Sequence, residues 1–262
     1  MYIDKWLHLG YKSMKDLLRS PKEAMERLES SVSSATPTLK HNYLSAVVAY
    51  ITHCVPRDHR AQFAKTWTKL QKENYRPIQE RYDNQEAGPR QISAAIKWDQ
   101  VLEARAAHPE SLLLAFYTYL PPVRADYNAV HLSGKPEGEN YIVMGKEYRL
   151  VLHEFKTSKT YTTIEHVLPQ PLKEILDKSL IENPRNYLFT YHNGEPMTAK
   201  AFSAYANREL TRLIGHKTTL TALRHAYVET IDYNKSYKDL KTIAHGMGHS
   251  VERSMLYKMK NE

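Results

Sequence analysis

The sequence predicts a mainly α-helical protein with one small antiparallel β-sheet, and three observations carry that expectation. Apolar residues recur at helical spacing through most of the 262 residues. Ser, Thr or Pro stands just ahead of many of those runs, where helix starts favour them. β-Branched and aromatic residues gather in one window, residues 141–169, where the spacing changes from helical to strand-like.

The elements follow in chain order. Ser20-Pro21-Lys22-Glu23 has the form of a capping box with proline at the first helical position, and the helix it opens carries Met25 and Leu28. Thr36-Pro37 opens a second helix, in which Leu39, Tyr43, Leu44, Val47, Val48 and Ile51 form an apolar stripe that Pro56 stops. Cys54 lies in this apolar stretch and reads as a small core residue. A third helix is expected from Arg60 to Lys72, with Phe63, Trp67 and Leu70 inward. Residues 1–85 therefore read as a helical unit. Its Lys12, Lys15, Arg19 and Lys22 are either phosphate contacts or a solvated helix face. The polar run ending in Gly88-Pro89 marks a linker over residues 86–92, and residues 93–262 form the second domain.

In that domain Ser93 is expected to cap a helix reaching Ala107. Pro109 starts another, SLLLAFYTYL, which Pro121-Pro122 ends; Arg124 follows at once. Strands are expected at Tyr141–Met144, Tyr148–Phe155 and Thr162–Leu168. The tip KTSKTY between the last two offers Lys156 and Lys159, either as groove-entering residues or as solubilising ones. Helices then follow over Gln170–Ile181, after Thr198, after Thr218 or Thr219, and after Ser236. Gly248 ends the last of these, and Ser250 can cap a short final helix whose second turn carries Tyr257.

Bulk properties narrow the function. A formal charge of +8 and a pI near 9.3 favour a polyanionic partner, nucleic acid being the commonest. A single cysteine excludes an internal disulfide and suits a reducing, intracellular compartment, whether cytoplasm or a host nucleus. No apolar run is long enough to span a bilayer, and the N-terminal residues do not form a secretory signal.

The last forty residues hold the chemistry. Arg224, His249 and Tyr257, the last lying eight positions beyond His249, suit attack of a phenolic oxygen on a phosphodiester. Displacement at phosphorus gathers charge on the non-bridging oxygens, and guanidinium forks donate to such oxygens bidentately where lysine cannot. Arg224 is a candidate clamp and His249 can donate to the phosphate or move a proton, while Arg124, just past the end of a buried apolar helix, is either a second arm of that clamp or a surface arginine paired with Asp126. Tyr227, Tyr233 and Tyr237 are rival nucleophiles, but each precedes the Gly-His turn. His245 and His249 lie four apart, yet Gly246 and Gly248 interrupt the helix and no cysteine or acid stands at ligand spacing, so no metal is expected.

These residues resemble the tyrosine recombinase family, which includes phage-type integrases. The family pattern is an arginine after an apolar helix, a hairpin lysine, His/Lys-x-x-Arg, Gly-His and then tyrosine. It falls here on Arg124, Lys156 or Lys159, Arg224, His249 and Tyr257. The form Pro-Pro-x-Arg-x-Asp-Tyr around Arg124 is similar to recombinases of eukaryotic mobile elements and large DNA viruses. Two positions depart from the pattern. Thr221 stands where His or Lys is usual, and Tyr257 comes one residue early, with Lys258 in the usual place. A one-residue shift turns a helix by about 100°, so the connecting turn or the start of the final helix is expected to differ.

The resemblance implies a helical core-binding domain ahead of a catalytic domain, cleavage through a 3′-phosphotyrosine, and a lysine that protonates the departing 5′ oxygen. It implies double-stranded DNA as partner and neither ATP nor a cofactor. Four protomers are expected on synapsed DNA. With five residues after Tyr257, the DNA-free protein is expected to be a monomer or weak dimer. A type IB-like topoisomerase and a degenerate, non-catalytic DNA-binding protein are the alternatives.

Overall fold

The structure is a computed structural model that describes residues 6, 8–31, 37–84, 86, 92–132, 134, 136–161 and 163–257, the last two by backbone alone. The chain divides into two compact units, Met1–Glu86 and Ala87–Glu262. Most of the expected linker, like Thr36, Thr162 and Lys258, lies outside the described residues. No described helix is long and apolar enough to cross a membrane.

The first unit contains α1 (Met14–Arg19), α2 (Pro21–Ser31), α3 (Pro37–Cys54) and α4 (Arg57–Asp83). Ser13 caps α1 by accepting the Asp16 amide at 3.2 Å. The stripe expected on α3 buries Tyr43, Leu44, Val47 and Ile51 and packs along α4. Trp6 and Trp67 fill the centre, their rings edge to face at 6.3 Å. Each indole N–H donates to a backbone carbonyl, that of Tyr43 or Leu18, at 3.1 Å in both cases. Lys12, Lys15, Arg19 and Lys22 are all exposed.

Two expectations fail in this unit. α4 does not end near Lys72; it continues to Asp83 and passes through Pro77. Proline removes one intrahelical hydrogen bond, but buried Ile78 gives the chain beyond it a packing reason to continue. Cys54 is exposed rather than a core residue. It is the last residue of α3, and Ile51 and Val55 on either side of it are the buried ones.

The second unit begins with α5 (Trp98–Ala107) and α6 (Leu112–Tyr119). α5 starts four residues later than Ser93 suggested: Lys97 is its N-cap, and the Gln100 side chain reaches back to the Lys97 N–H at 2.9 Å. Ser111 caps α6, whose residues Leu113 to Tyr117 are all buried. The antiparallel sheet follows in the order β1 (Tyr141–Val143), β2 (Arg149–Leu152), β3 (Ile164–Val167). Tyr141 pairs with Val151 across β1 and β2, and Leu150 with His166 across β2 and β3. All three strands are shorter than expected. The segment between β2 and β3 is no simple hairpin tip, because a helical turn, α7 (Ser158–Tyr161), interrupts it.

Then come α8 (Gln170–Glu182), α9 (Ala199–Ile214), α10 (Leu220–Glu229), α11 (Tyr237–Gly246) and α12 (Val251–Tyr257). The Thr198, Thr219 and Ser236 side chains each accept an amide at the start of their helix, and Thr219 rather than Thr218 caps α10. One core spans α6, the sheet and α8 to α10, including Leu114, Phe116, Leu150, Leu172, Phe202 and Leu223. A smaller cluster of Val228, Ile231, Leu240, Ala244, Met247 and Val251 holds α11 and α12 against the end of α10. The fold is thus mainly α with a small three-stranded antiparallel sheet.

Candidate active site

Three segments of the second unit meet around His249. The turn that carries it is fixed by a Schellman motif. Gly248 adopts φ +70° and donates its N–H to the His245 carbonyl at 2.8 Å, while His249 N–H reaches the Ala244 carbonyl at 3.1 Å. Two side chains hold the carbonyls of the turn. Arg224 Nη2 donates to Met247 at 3.1 Å, and Thr157 Oγ1 donates to Gly248 at 2.6 Å. The glycines also permit close packing. A Cβ on Gly248 would stand 3.3 Å from the Phe155 ring, and one on Gly246 would stand 3.0 Å from His166 and 3.4 Å from Pro121. The Pro121 segment, the β2–β3 connection and the end of α11 are therefore in contact.

Arg224 lies in mid-α10 and His249 just past α11, and each is 2% exposed. His249 Nδ1 faces the Ser250 carbonyl at 3.2 Å. A carbonyl only accepts, so Nδ1 carries the proton and Nε2 of the neutral ring bears the lone pair. Burial pushes the His249 pKa down to about 4; the Arg224 charge adds to this, the Ser250 carbonyl opposes it, and Arg124 and Arg253 lower it further. Three guanidinium groups thus act on one imidazole, and an anion among them would oppose the downward shift.

Arg124 is half-buried, and its peptide is gripped at both ends. Its N–H donates to Asp126 Oδ2 at 3.0 Å, and its carbonyl accepts from the Tyr117 hydroxyl at 2.5 Å. Asp126 was a candidate partner for the arginine side chain; its carboxylate instead accepts the backbone amide. Burial raises the Asp126 pKa, opposed by the Arg124 N–H and by the charges of Arg124 and Arg224. Burial also raises the pKa of Tyr117 well above its usual value.

The other candidates divide. Lys156 and Lys159 are both exposed; Lys156 lies between Phe155 and Thr157, both of which touch Gly248, whereas Lys159 sits on α7. Thr221 is exposed on the first turn of α10. Tyr257 is the last residue of α12, and its side chain lies outside the described residues. Helix α12 itself is anchored one turn earlier: Ser254 is 2% exposed and shares a 3.0 Å hydrogen bond with the Tyr233 hydroxyl. That contact occupies one rival nucleophile. His245 and His249 diverge, since His245 Nε2 meets the Tyr161 carbonyl at 3.1 Å.

Sequence reasoning missed Asn140. It is 5% exposed and bonds through every polar position. Its Nδ2 donates to the Asp126 carbonyl at 3.2 Å and the Glu154 carbonyl at 2.9 Å; its Oδ1 accepts the His153 and Glu154 amides, both at 2.8 Å. It joins the Arg124 segment to the chain leaving β2. No local pattern marks such a residue, because its partners lie 13 and 14 positions away.

No family model matches the sequence, and none of the curated proteins does. Among solved structures the chain is similar over its full length to tyrosine recombinases and integrases. The XerA recombinase structure is 14% identical, with 85% of that chain covered and a TM-score of 0.46. The XerH site-specific recombinase bound to difH substrate is 14% identical, with 85% covered and a TM-score of 0.48. A lambda integrase dimer bound to a COC′ core site is 15% identical, with 97% covered and a TM-score of 0.44. At these identities and TM-scores, what the chain does must be argued from its own residues.

Proposed function

We propose that the protein is a tyrosine recombinase that cleaves and rejoins DNA strands through a covalent 3′-phosphotyrosine, without metal or ATP. One observation supports this most: Arg124 and Arg224, from segments a hundred residues apart, both bear on the buried His249 imidazole. Such a cluster suits an anion with several oxygens, and a phosphodiester is the anion a basic chain meets on DNA.

In this reading the two guanidinium groups donate to the non-bridging oxygens as charge gathers there. The Tyr257 oxygen forms a bond to phosphorus, and its proton passes to the His249 Nε2 lone pair. The bond from phosphorus to O5′ breaks, and a lysine of the β2–β3 connection, Lys156 or Lys159, gives O5′ its proton. A 5′ hydroxyl from a second strand reverses the step. Recombination of this kind fits integration or excision of a mobile or viral genome. The protein would be a monomer or weak dimer alone and a tetramer on synapsed DNA, with the helical unit Met1–Glu86 as a second DNA clamp.

A degenerate, DNA-binding reading is favoured by two features, the uncharged and exposed Thr221 and the short spacing from His249 to Tyr257. A suicide substrate nicked beside the cleavage site separates the two. An active protein gives an adduct that survives EDTA and disappears in Tyr257→Phe; a degenerate one binds and gives none. Relaxation of a supercoiled plasmid without recombinant product would instead indicate a type IB-like topoisomerase.

A further inference from the structure

We propose that Thr157 is a positioning residue that presents Lys156, rather than Lys159, to the departing oxygen. The inference rests on the recombinase reading and deepens it.

The β2–β3 connection is stitched to the His249 turn along its length. Asn140 holds its entry through both the amide and the carbonyl of Glu154. The Phe155 ring packs against Gly248, as does Ile164 at the far end of the connection. Thr157 Oγ1 donates to the Gly248 carbonyl at 2.6 Å, a contact spanning 91 residues of chain. The Tyr161 carbonyl meets His245 Nε2 at 3.1 Å, and His166 Nε2 meets the Gly246 carbonyl at 3.3 Å. Apart from the Asn140 bonds, each of these contacts falls on His245, Gly246 or Gly248, in the helix end and turn that carry His249.

Within that seam the two lysines are not equivalent. The neighbours of Lys156, Phe155 and Thr157, both touch Gly248, so its backbone is fixed one residue either side beside the turn. Lys159 stands in α7, which departs from Thr157: the Thr160 and Tyr161 amides turn back to the Thr157 carbonyl at 2.9 and 3.1 Å. The Thr157 hydroxyl is also the polar side-chain link between this connection and Gly248. Removing it leaves the Phe155 packing but frees the peptide after Lys156. A general acid needs its proton within hydrogen-bond reach of the leaving oxygen, and an error of about 1 Å can cost about a hundredfold.

The test compares two nicked substrates in single-turnover cleavage, one with the natural 5′ oxygen and one with sulfur at the bridging position, which leaves without a proton. Thr157→Val is expected to slow the oxygen substrate roughly 10- to 100-fold and to cleave the sulfur substrate at about the wild-type rate. Thr157→Ser, which restores a hydroxyl, is expected to regain most of the lost rate. Lys156→Ala should show the same rescue by sulfur with a larger defect, about 100-fold or more. Thr157→Val slow on both substrates, or as fast as wild type on oxygen, overturns the proposal while leaving the recombinase reading intact. Rescue by sulfur of Lys159→Ala in place of Lys156→Ala also overturns it. Wild-type protein that forms no adduct with either substrate overturns the recombinase reading, and this inference with it.

Discussion

The two units bury different kinds of chemistry. In Met1–Glu86 the core is apolar and aromatic, and the polar atoms of its two central tryptophans are satisfied by neutral carbonyls. In Ala87–Glu262 the buried polar and charged residues, among those described, are Asn140, Thr218, Arg224, His249 and Ser254, and none of their kind falls in the first unit. A buried neutral donor needs one partner. A buried cation needs a stronger reason, since desolvating it costs several kcal/mol. The Arg224 charge disfavours the charged form of the His249 imidazole. The first unit keeps its buried polar atoms neutral, whereas the second buries a cation at a cost that packing alone does not require.

The comparison can be broken from either side, and the largest effect is expected in the first unit. Trp67→Ala should destabilise Met1–Glu86 by about 3–5 kcal/mol, because it removes a fully buried ring and orphans the Leu18 carbonyl. The shift in a urea or thermal unfolding curve measures this, and a change under about 1 kcal/mol would deny that the ring organises the core.

Next is Arg224→Lys, which keeps the charge and loses the fork. Adduct formation on a nicked substrate should fall about 100- to 1,000-fold, while DNA affinity by titration changes little. An equal loss of both would make Arg224 a general DNA contact instead.

The pH response comes third. The folded protein holds His249 near 4, whereas the unfolded chain takes a proton near the usual 6.5. Stability from this group is therefore complete above pH 6.5 and declines as pH falls toward 4, by on the order of 3 kcal/mol. His249→Gln should remove most of that slope between pH 7 and pH 4.5, and a short duplex bound at the site should reduce it as well. Variants of the first unit should leave the slope unchanged.

The smallest expected effect is Gly248→Ala, at about 1–2 kcal/mol from the left-handed backbone alone. The 3.3 Å approach to Phe155 adds to it. Because this substitution strains the His249 turn, its loss of cleavage rate should exceed what its stability loss explains.

Much of this layout was legible in the sequence, for reasons tied to particular residues. Helix starts at Thr198, Thr219 and Ser236 could be read because capping is local, and so could the Gly248 stop, because a left-handed residue there favours glycine. The candidate site residues could be listed in order because Arg224 and the Gly-His turn lie close together in sequence and the family pattern supplied Arg124 and the lysine. What could not be read depends on distant partners. Cys54 carried an apolar neighbourhood but ends its helix on the exposed side. The helix expected to end at Lys72 runs on to Asp83, through Pro77, because Ile78 beyond it is buried. The Thr157 link arises only when the β2–β3 connection meets the turn after α11, and the four bonds of Asn140 only when the Arg124 segment meets the chain leaving β2. Asp126 beside Arg124 suggested an ion pair, while the fold uses its carboxylate on the backbone.

The most direct test of the central claim is to trap the protein on a nicked DNA substrate in EDTA, digest it, and locate the nucleotide by mass spectrometry. The account predicts a 3′-phosphate ester on Tyr257, lost in Tyr257→Phe and strongly reduced in Arg124→Ala and Arg224→Ala. An adduct on Tyr227, Tyr233 or Tyr237, or DNA binding with no adduct at all, would contradict it.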